Sequence, residues 1–317
     1  MTRRTLFRFV LIAALCGAVG LPAIAQGTPP SSASEWTDLA STLYDVMPNI
    51  VYGRQNNTDL KLDLYLPAQR TTPVPVVVMI HGGGWVVGHK EGMTLEVLPY
   101  LQMGFAVANV EYRLGETELA PAAVEDCRCA LHWVVNNAAK YKFDVNRIVT
   151  TGGSAGGHLA LTTGLLTPEA GLDRGCTAPD NLRWERADLT RPKVAAIINW
   201  YGITDVEELL SGPNAKNYAI EWLGSQPDRE KLAALVSPIH MVRKDSPPVL
   251  TIHGDKDTLV PYTQAVRLHQ ELDKAGVRNR LLTIPGGGHG GFNLEQMRNA
   301  MQAVRQFLRE NGIVAEQ

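Results

Sequence analysis

Apolar positions change period several times along the chain. In LKLDLYLP, residues 60–67, they alternate with polar ones, as in a strand buried on one face. VPVVVMI, residues 74–80, is an unbroken apolar run and predicts a central strand covered on both faces. FAVANVEYRL (105–114), RIVTTGG (147–153), VAAIINWYG (194–202) and PVLTIHG (248–254) repeat that pattern, and RLLTIPG (280–286) follows. Between them the period lengthens. HLALTTGLL and DCRCALHWV read as helices, and SEWTDLASTLYDVMP (34–48) looks helical ahead of the first strand. In PYTQAVRLHQELDKAG, Ala265, Leu268, Leu272 and Ala275 share a face, with Pro261 in the first turn and Gly276 just past the end. The final helix puts Leu294, Met297, Met301, Val304 and Leu308 on one stripe and stops near Gly312. Strands alternating with helices predict an α/β fold, a mostly parallel sheet with helices on both faces. Two stretches break the rhythm: 203–245, with short helical pieces expected to form a small lid, and a polar insertion near 168–193.

The chain's 317 residues are 45% hydrophobic and 20% charged, which suits one large domain, expected over residues 36–317. A net charge of −2 gives no reason to expect a nucleic-acid partner. The N-terminus adds a targeting expectation. Arg3, Arg4 and Arg8 precede the apolar run FVLIAALCGAVGL and the small residues Ala23-Ile24-Ala25, the layout of a secretory signal peptide over 1–25. The apolar run is shorter than the ~20 residues of a membrane span, so no stable anchor is expected after cleavage. QGTPPSSASE (26–35) reads as a disordered linker. The expected location is therefore periplasmic or secreted. In an oxidising compartment, Cys127, Cys129 and Cys176 suggest one disulfide and one free thiol. Cys127 is in step with Val124, Leu131 and Val134 on a buried helix face, whereas Cys129 points elsewhere. Cys129–Cys176 is thus the expected pair, with Cys127–Cys176 the alternative.

Four glycine-rich or acidic turns carry the candidate chemistry. Gly152-Gly153-Ser154-Ala155-Gly156 fits G-x-S-x-G, in which small residues let a strand turn sharply into a helix and lift a serine clear of the sheet. It matches neither a dinucleotide loop nor a P-loop, since no lysine follows Gly157. HGGGW (81–85) follows a strand, and three consecutive glycines suit a loop that aims bare N–H groups at a developing oxyanion. HGDKDTLVP places Asp255 and Asp257 after a late strand, and GGGHGGF places His289 after the last one. A serine nucleophile needs a base, and the base an acid that holds its tautomer. Ser154, His289 and Asp257 fill those roles in the order Ser, Asp, His, with Asp255 the alternative acid. Metal binding by His253, Asp255, Asp257 and His289 would leave Ser154 and the triple glycine unexplained. His158 is expected to be structural and His81 to brace its loop.

HGGGW, GGSAGGHLA, HGDKDTLVP and GGGHGGF together resemble the α/β-hydrolase superfamily from about residue 50 to 310. Within it the chain is similar to bacterial esterases of the hormone-sensitive-lipase-like and feruloyl/acetylxylan-esterase-like group. The resemblance implies the fold, oxyanion-hole N–H groups on Gly83, Gly84 and Ala155, an acyl-enzyme mechanism without metal or organic cofactor, and an ester substrate, small or polymer-borne. It departs in having Gly153 where hormone-sensitive-lipase relatives carry an acid, and in a short N-terminal segment. Both favour the feruloyl/acetylxylan side and an open site. Trp85, Trp200 and Tyr201, with Trp222 in the expected lid, are expected to line an acyl or aryl pocket. Amide cleavage on the same triad and a non-catalytic binding protein on this fold are the competing expectations.

Overall fold

The structure, a computed structural model, describes residues 33–176 and 192–315. The expected signal peptide, most of the expected linker and the middle of the 168–193 insertion lie outside them. The chain divides into a unit ending at Ala40 and a body from Ser41 onward. Helix α1 (Ala33–Leu43) begins in the first and ends in the second. The strands are β1 (Tyr44–Gln55), β2 (Thr58–Pro67), β3 (Val74–Ile80), β4 (Ala106–Val110), β5 (Phe143–Gly153), β6 (Ala196–Trp200), β7 (Val249–Gly254) and β8 (Asn279–Ile284). They form one sheet in the order β1-β2-β4-β3-β5-β6-β7-β8. Pairing is antiparallel from β1 through β2 to β4 and parallel from β4 onward.

Helices α2 (Leu98–Gln102), α3 (Ala122–Asn136), α4 (Ala138–Tyr141), α5 (Ala155–Leu165), α6 (Asn217–Leu223), α7 (Arg229–Leu235), α8 (Tyr262–Lys274) and α9 (Leu294–Glu310) complete the body. The unbroken apolar run of β3 is explained by two cores. Val76, Val78 and Ile80 join Leu131 of α3, Leu159 of α5 and Leu268 of α8 on one face. Val77 and Met79 join Tyr100 of α2 and Val304 and Phe307 of α9 on the other. Each such side chain taken from water stabilises the sheet by about 1.5–3 kcal/mol.

Three sequence expectations need correction. Residues 44–48 are not helical, because α1 ends at Leu43 and β1 follows. Half of this edge strand is exposed, and it carries Pro48, Asn49 at φ 56 and two register shifts, so it shows no alternation. The α9 stripe is only half buried: Val304 and Leu308 pack, but Leu294 is 74% and Met297 40% exposed. The strand expected over 105–114 is confined to Ala106–Val110. A disulfide joins Cys129 to Cys176, leaving Cys127 a buried thiol. Asp173, near the end of that loop, is held well below the usual carboxylate range: burial opposes this, but His132 and Arg128 outweigh it.

Candidate active site

The parallel strands deliver β3, β5, β7 and β8 to one edge of the sheet, where the four motif loops meet. Ser154 stands between β5 and α5 with φ 58 and ψ −122. That conformation costs a non-glycine residue on the order of 1–3 kcal/mol, so its surroundings must enforce it. Its N–H donates to the Trp200 carbonyl at 2.9 Å, and its own carbonyl accepts from His158 N–H at 3.0 Å. The flanking glycines leave no room for anything larger. A Cβ on Gly152 would sit 2.3 Å, and one on Gly156 2.1 Å, from the Ile80 carbonyl oxygen.

His289 Nε2 lies 2.8 Å from Ser154 Oγ, and His289 Nδ1 lies 2.8 Å from Asp257 Oδ2. Nδ1–H donates to the carboxylate, which leaves Nε2 to accept the serine proton. Asp257 is heavily committed: Oδ1 accepts the N–H groups of Leu259 and Val260, while Oδ2 accepts from both His289 and His253. Burial on its own would raise this carboxyl, but the bonds from His253, His289 and Val260 prevail and hold it well below the carboxylate range. Asp255, the alternative acid, instead accepts the Gly286 N–H at 2.8 Å and braces the histidine loop. The sequence raised His253 only as a possible metal ligand and gave it no part in the triad. It is fully buried, and its Nε2–H is shared between Asp257 Oδ2 and the Val260 carbonyl, each at 3.1 Å. Two acceptors at Nε2 call for the proton there, and buried Nδ1 has no partner among the described residues.

Gly83 and Gly84 take φ values of 115 and 61, and among the described residues no acceptor meets their N–H groups. Ala155 opens α5 with its N–H at the positive helix end. The loop is pinned from below. Trp85, at φ 62 and 0% exposed, stacks on Trp222 at 4.2 Å and donates Nε1–H to His158 Nδ1 at 3.1 Å. His158 therefore donates Nε2–H to the Val236 carbonyl at 2.7 Å, and burial lowers it to about 4, so it is neutral near pH 7. His81 donates Nδ1–H to the Gly82 carbonyl and stacks on Tyr112; burial brings it, too, down to about 4.

Over Ser154 and His289 lies a cavity of ≈ 420 Å³, walled by the glycine loop, Met93, Glu96, Tyr201, Tyr218 and Leu259. The expected aromatic lining is corrected here. Trp85 and Trp222 are wholly buried beneath the loop, and Trp200 ends β6 without reaching the cavity, because its side chain packs on the α2/α9 face. Tyr201 does line it, at φ 40, with its ring edge-on to His289 at 4.9 Å and to Phe292 at 5.8 Å. Tyr218, on α6 in the 203–245 segment, also lines it; Tyr218 donates its hydroxyl to the Leu259 carbonyl at 3.1 Å and closes on Gly84. Nothing in NYAIEWLG marked this tyrosine, whereas Leu259, two residues past Asp257, could have been placed from its motif.

A family model described as BD-FAE matches residues 62–272, and one described as TAP-like protein matches 232–316. Esterase LipQ of Mycobacterium tuberculosis is 28% identical over 264 residues, which cover 81% of this chain but 59% of LipQ, so the chain spans under two thirds of that relative. Among solved structures, a truncated form of carbohydrate esterase from gut microbiota superposes with a TM-score of 0.68 at 29% identity, covering 84% of this chain and 97% of that one. Thermogutta terrifontis esterase 2 phosphoramylated by tabun superposes with a TM-score of 0.70 at 26% identity, covering 87% and 97%. The first family match takes in the oxyanion loop, the serine elbow and Asp257, and the second carries on through His289. With both glycine loops, the elbow and the strand order on the same fold, the chain belongs to the BD-FAE family of α/β hydrolases.

Proposed function

We propose that this protein is a serine carboxylic-ester hydrolase working through an acyl-enzyme. The observation that carries the proposal is the hydrogen-bonded chain from Ser154 Oγ through both nitrogens of His289 to Asp257, each link 2.8 Å. As Ser154 attacks the ester carbonyl, His289 Nε2 takes its proton, and Asp257 holds the imidazolium that results. The N–H groups of Gly83, Gly84 and Ala155 receive the oxyanion; in enzymes of this type each such donor supplies about 3–4 kcal/mol. His289 then protonates the leaving alcohol and activates the water that frees the acyl group.

The similar structures named as esterases support ester over amide cleavage. The small cavity with tyrosine, methionine and leucine walls supports acetyl, short-chain or aromatic, feruloyl-like acyl groups, from small molecules or polymers. Export fits the N-terminal pattern and the Cys129–Cys176 bond.

The test is a panel of 4-nitrophenyl esters graded by acyl length, run beside matched anilides on the full chain and on Ser154→Ala. Ester turnover should fall by about 10⁴-fold or more in the variant with its melting temperature unchanged, and an organophosphorus probe should add one adduct at Ser154. Ester turnover that survives Ser154→Ala, or anilides outpacing esters, refutes the proposal.

A further inference from the structure

Among the described residues, Glu96 is the one acid lining the cavity, and no described lysine or arginine lines it. It sits between Met93 and Val97, both buried, and the N–H of Glu96 donates to the Met93 carbonyl at 2.8 Å, so the backbone holds it at the rim. Next to it α2 is anchored by the Tyr100 hydroxyl against Thr151 Oγ1 of the serine-bearing strand β5 at 3.2 Å. Glu96 is exposed to solvent at the rim, Met93 and Leu259 give its walls an apolar part, and it has neither a hydrogen bond nor an ion pair among the described residues. Desolvation by those walls raises it above the ordinary carboxylate value with nothing opposing. The acid reaches its neighbours electrostatically: after burial, its charge is the next cause that pushes the Tyr201 phenol up to about 12. The triad uses its own acid, Asp257, and does not need this one.

A negative charge on the cavity rim, added to that of Asp257 behind His289, acts on whatever else is charged there. We infer that Glu96 is a charge filter for the acyl-transfer site: it admits esters that are neutral, hydroxyl-rich or cationic next to the scissile bond, rejects those bearing a carboxylate or phosphate there, and speeds departure of the acid product. This deepens the ester-hydrolase proposal and rests on it. Hydrolysis joins ester and water to give alcohol, carboxylate and a proton. Each turnover therefore leaves one new anion beside Ser154, in a cavity lined by a like charge and, among the described residues, by no lysine or arginine. A hydroxyl-bearing alcohol portion, in contrast, can donate to the unpaired Glu96 oxygens. Both effects follow from one side chain, so one substitution tests both.

The experiment uses three phenyl acetates with carboxamide, carboxylate or trimethylammonio groups in the para position, at about pH 8 and low salt so that the carboxyl is ionised and unscreened. For each, kcat/KM is measured on the full chain, Glu96→Gln and Glu96→Ala, and the carboxamide ester serves as the reference whatever its own change. Relative to that reference, Glu96→Gln should improve the carboxylate ester about tenfold and weaken the cationic one by a similar factor. High salt should erase most of the difference in the parent enzyme but little in the variant. Inhibition by acetate should tighten about fivefold in Glu96→Gln. Equal relative rates on all three esters in both variants, with acetate inhibition unmoved, overturn the filter. A parent protein that hydrolyses none of them, the neutral ester included, refutes the hydrolase proposal instead.

Discussion

At the residue scale, the site depends on how one carboxylate is shared. Asp257 Oδ2 serves two histidines at once, and only His289 reaches the serine. His253 is a positioning residue: it touches no substrate, but its Nε2–H fixes the face that Asp257 turns toward His289. Replacing it with leucine removes a hydrogen bond to a charged group worth about 1.5 kcal/mol or more, so kcat should drop about tenfold with KM within about twofold. His253→Asn, which can still donate, should recover part of kcat. Steady-state kinetics on a neutral ester decides this, and a loss confined to KM would show that His253 does not act through the triad. The serine and its base were legible from motif order, but that order left Asp255 beside Asp257 as the acid until the fold set Asp257 against His289. The part of His253 was not legible, because a histidine inside an apolar strand says nothing of its partner until the fold brings Asp257 within 3.1 Å. The tryptophans misled for a related reason. An indole next to a glycine loop suggests a ligand wall, but here Trp85 turns inward under a positive φ.

At the element scale, the oxyanion loop is a short strap over a rigid support. The N–H groups of Gly83 and Gly84, which no acceptor meets among the described residues, lie just before Trp85, and Trp85 is fixed to α5 through His158 and to α6 through Trp222. Trp85→Phe preserves an aromatic ring for Trp222 but strands His158 Nδ1. Stability should fall by about 1–3 kcal/mol in urea titration, and kcat should fall more than KM rises, because the donors act on the oxyanion rather than the bound ester. A KM effect alone would mean the loop holds substrate instead. The central strands β3, β5 and β7 were readable because both faces are buried, so their apolar runs carry no ambiguity. The edge strand β1 was not: half its residues face water, and a proline and two bulges destroy the period. The 203–245 segment was visible only as a break in rhythm. NYAIEWLG read as helical, as α6 bears out, but it is too short to show which face meets the cavity, and so Tyr218 went unnoticed.

Across the whole molecule, acid sensitivity follows from the buried histidines. His81 and His158 titrate near about 4 folded, against an ordinary value of 6.5. Between those values the unfolded chain binds more protons, so stability rises with pH and levels off above 6.5. Going down from pH 7 to 4, each histidine subtracts up to roughly 3 kcal/mol. Asp173 and Asp257 act in the same direction at lower pH: both are depressed, so their contribution is present above the ordinary carboxylate value and declines on further acidification. Melting temperature should therefore decline steadily from about pH 6.5 to 4, and His158→Gln, which cannot charge, should flatten the slope; a flat parent curve over that span would contradict it. The relay from Trp85 through His158 ends on the carbonyl of Val236, at the foot of the 203–245 segment. Anyone grafting that segment from a related hydrolase to change substrate preference would also be replacing the far anchor of the oxyanion loop. A chimera that keeps the donor's cavity wall but not the backbone acceptor at position 236 should bind its new ester and turn it over poorly.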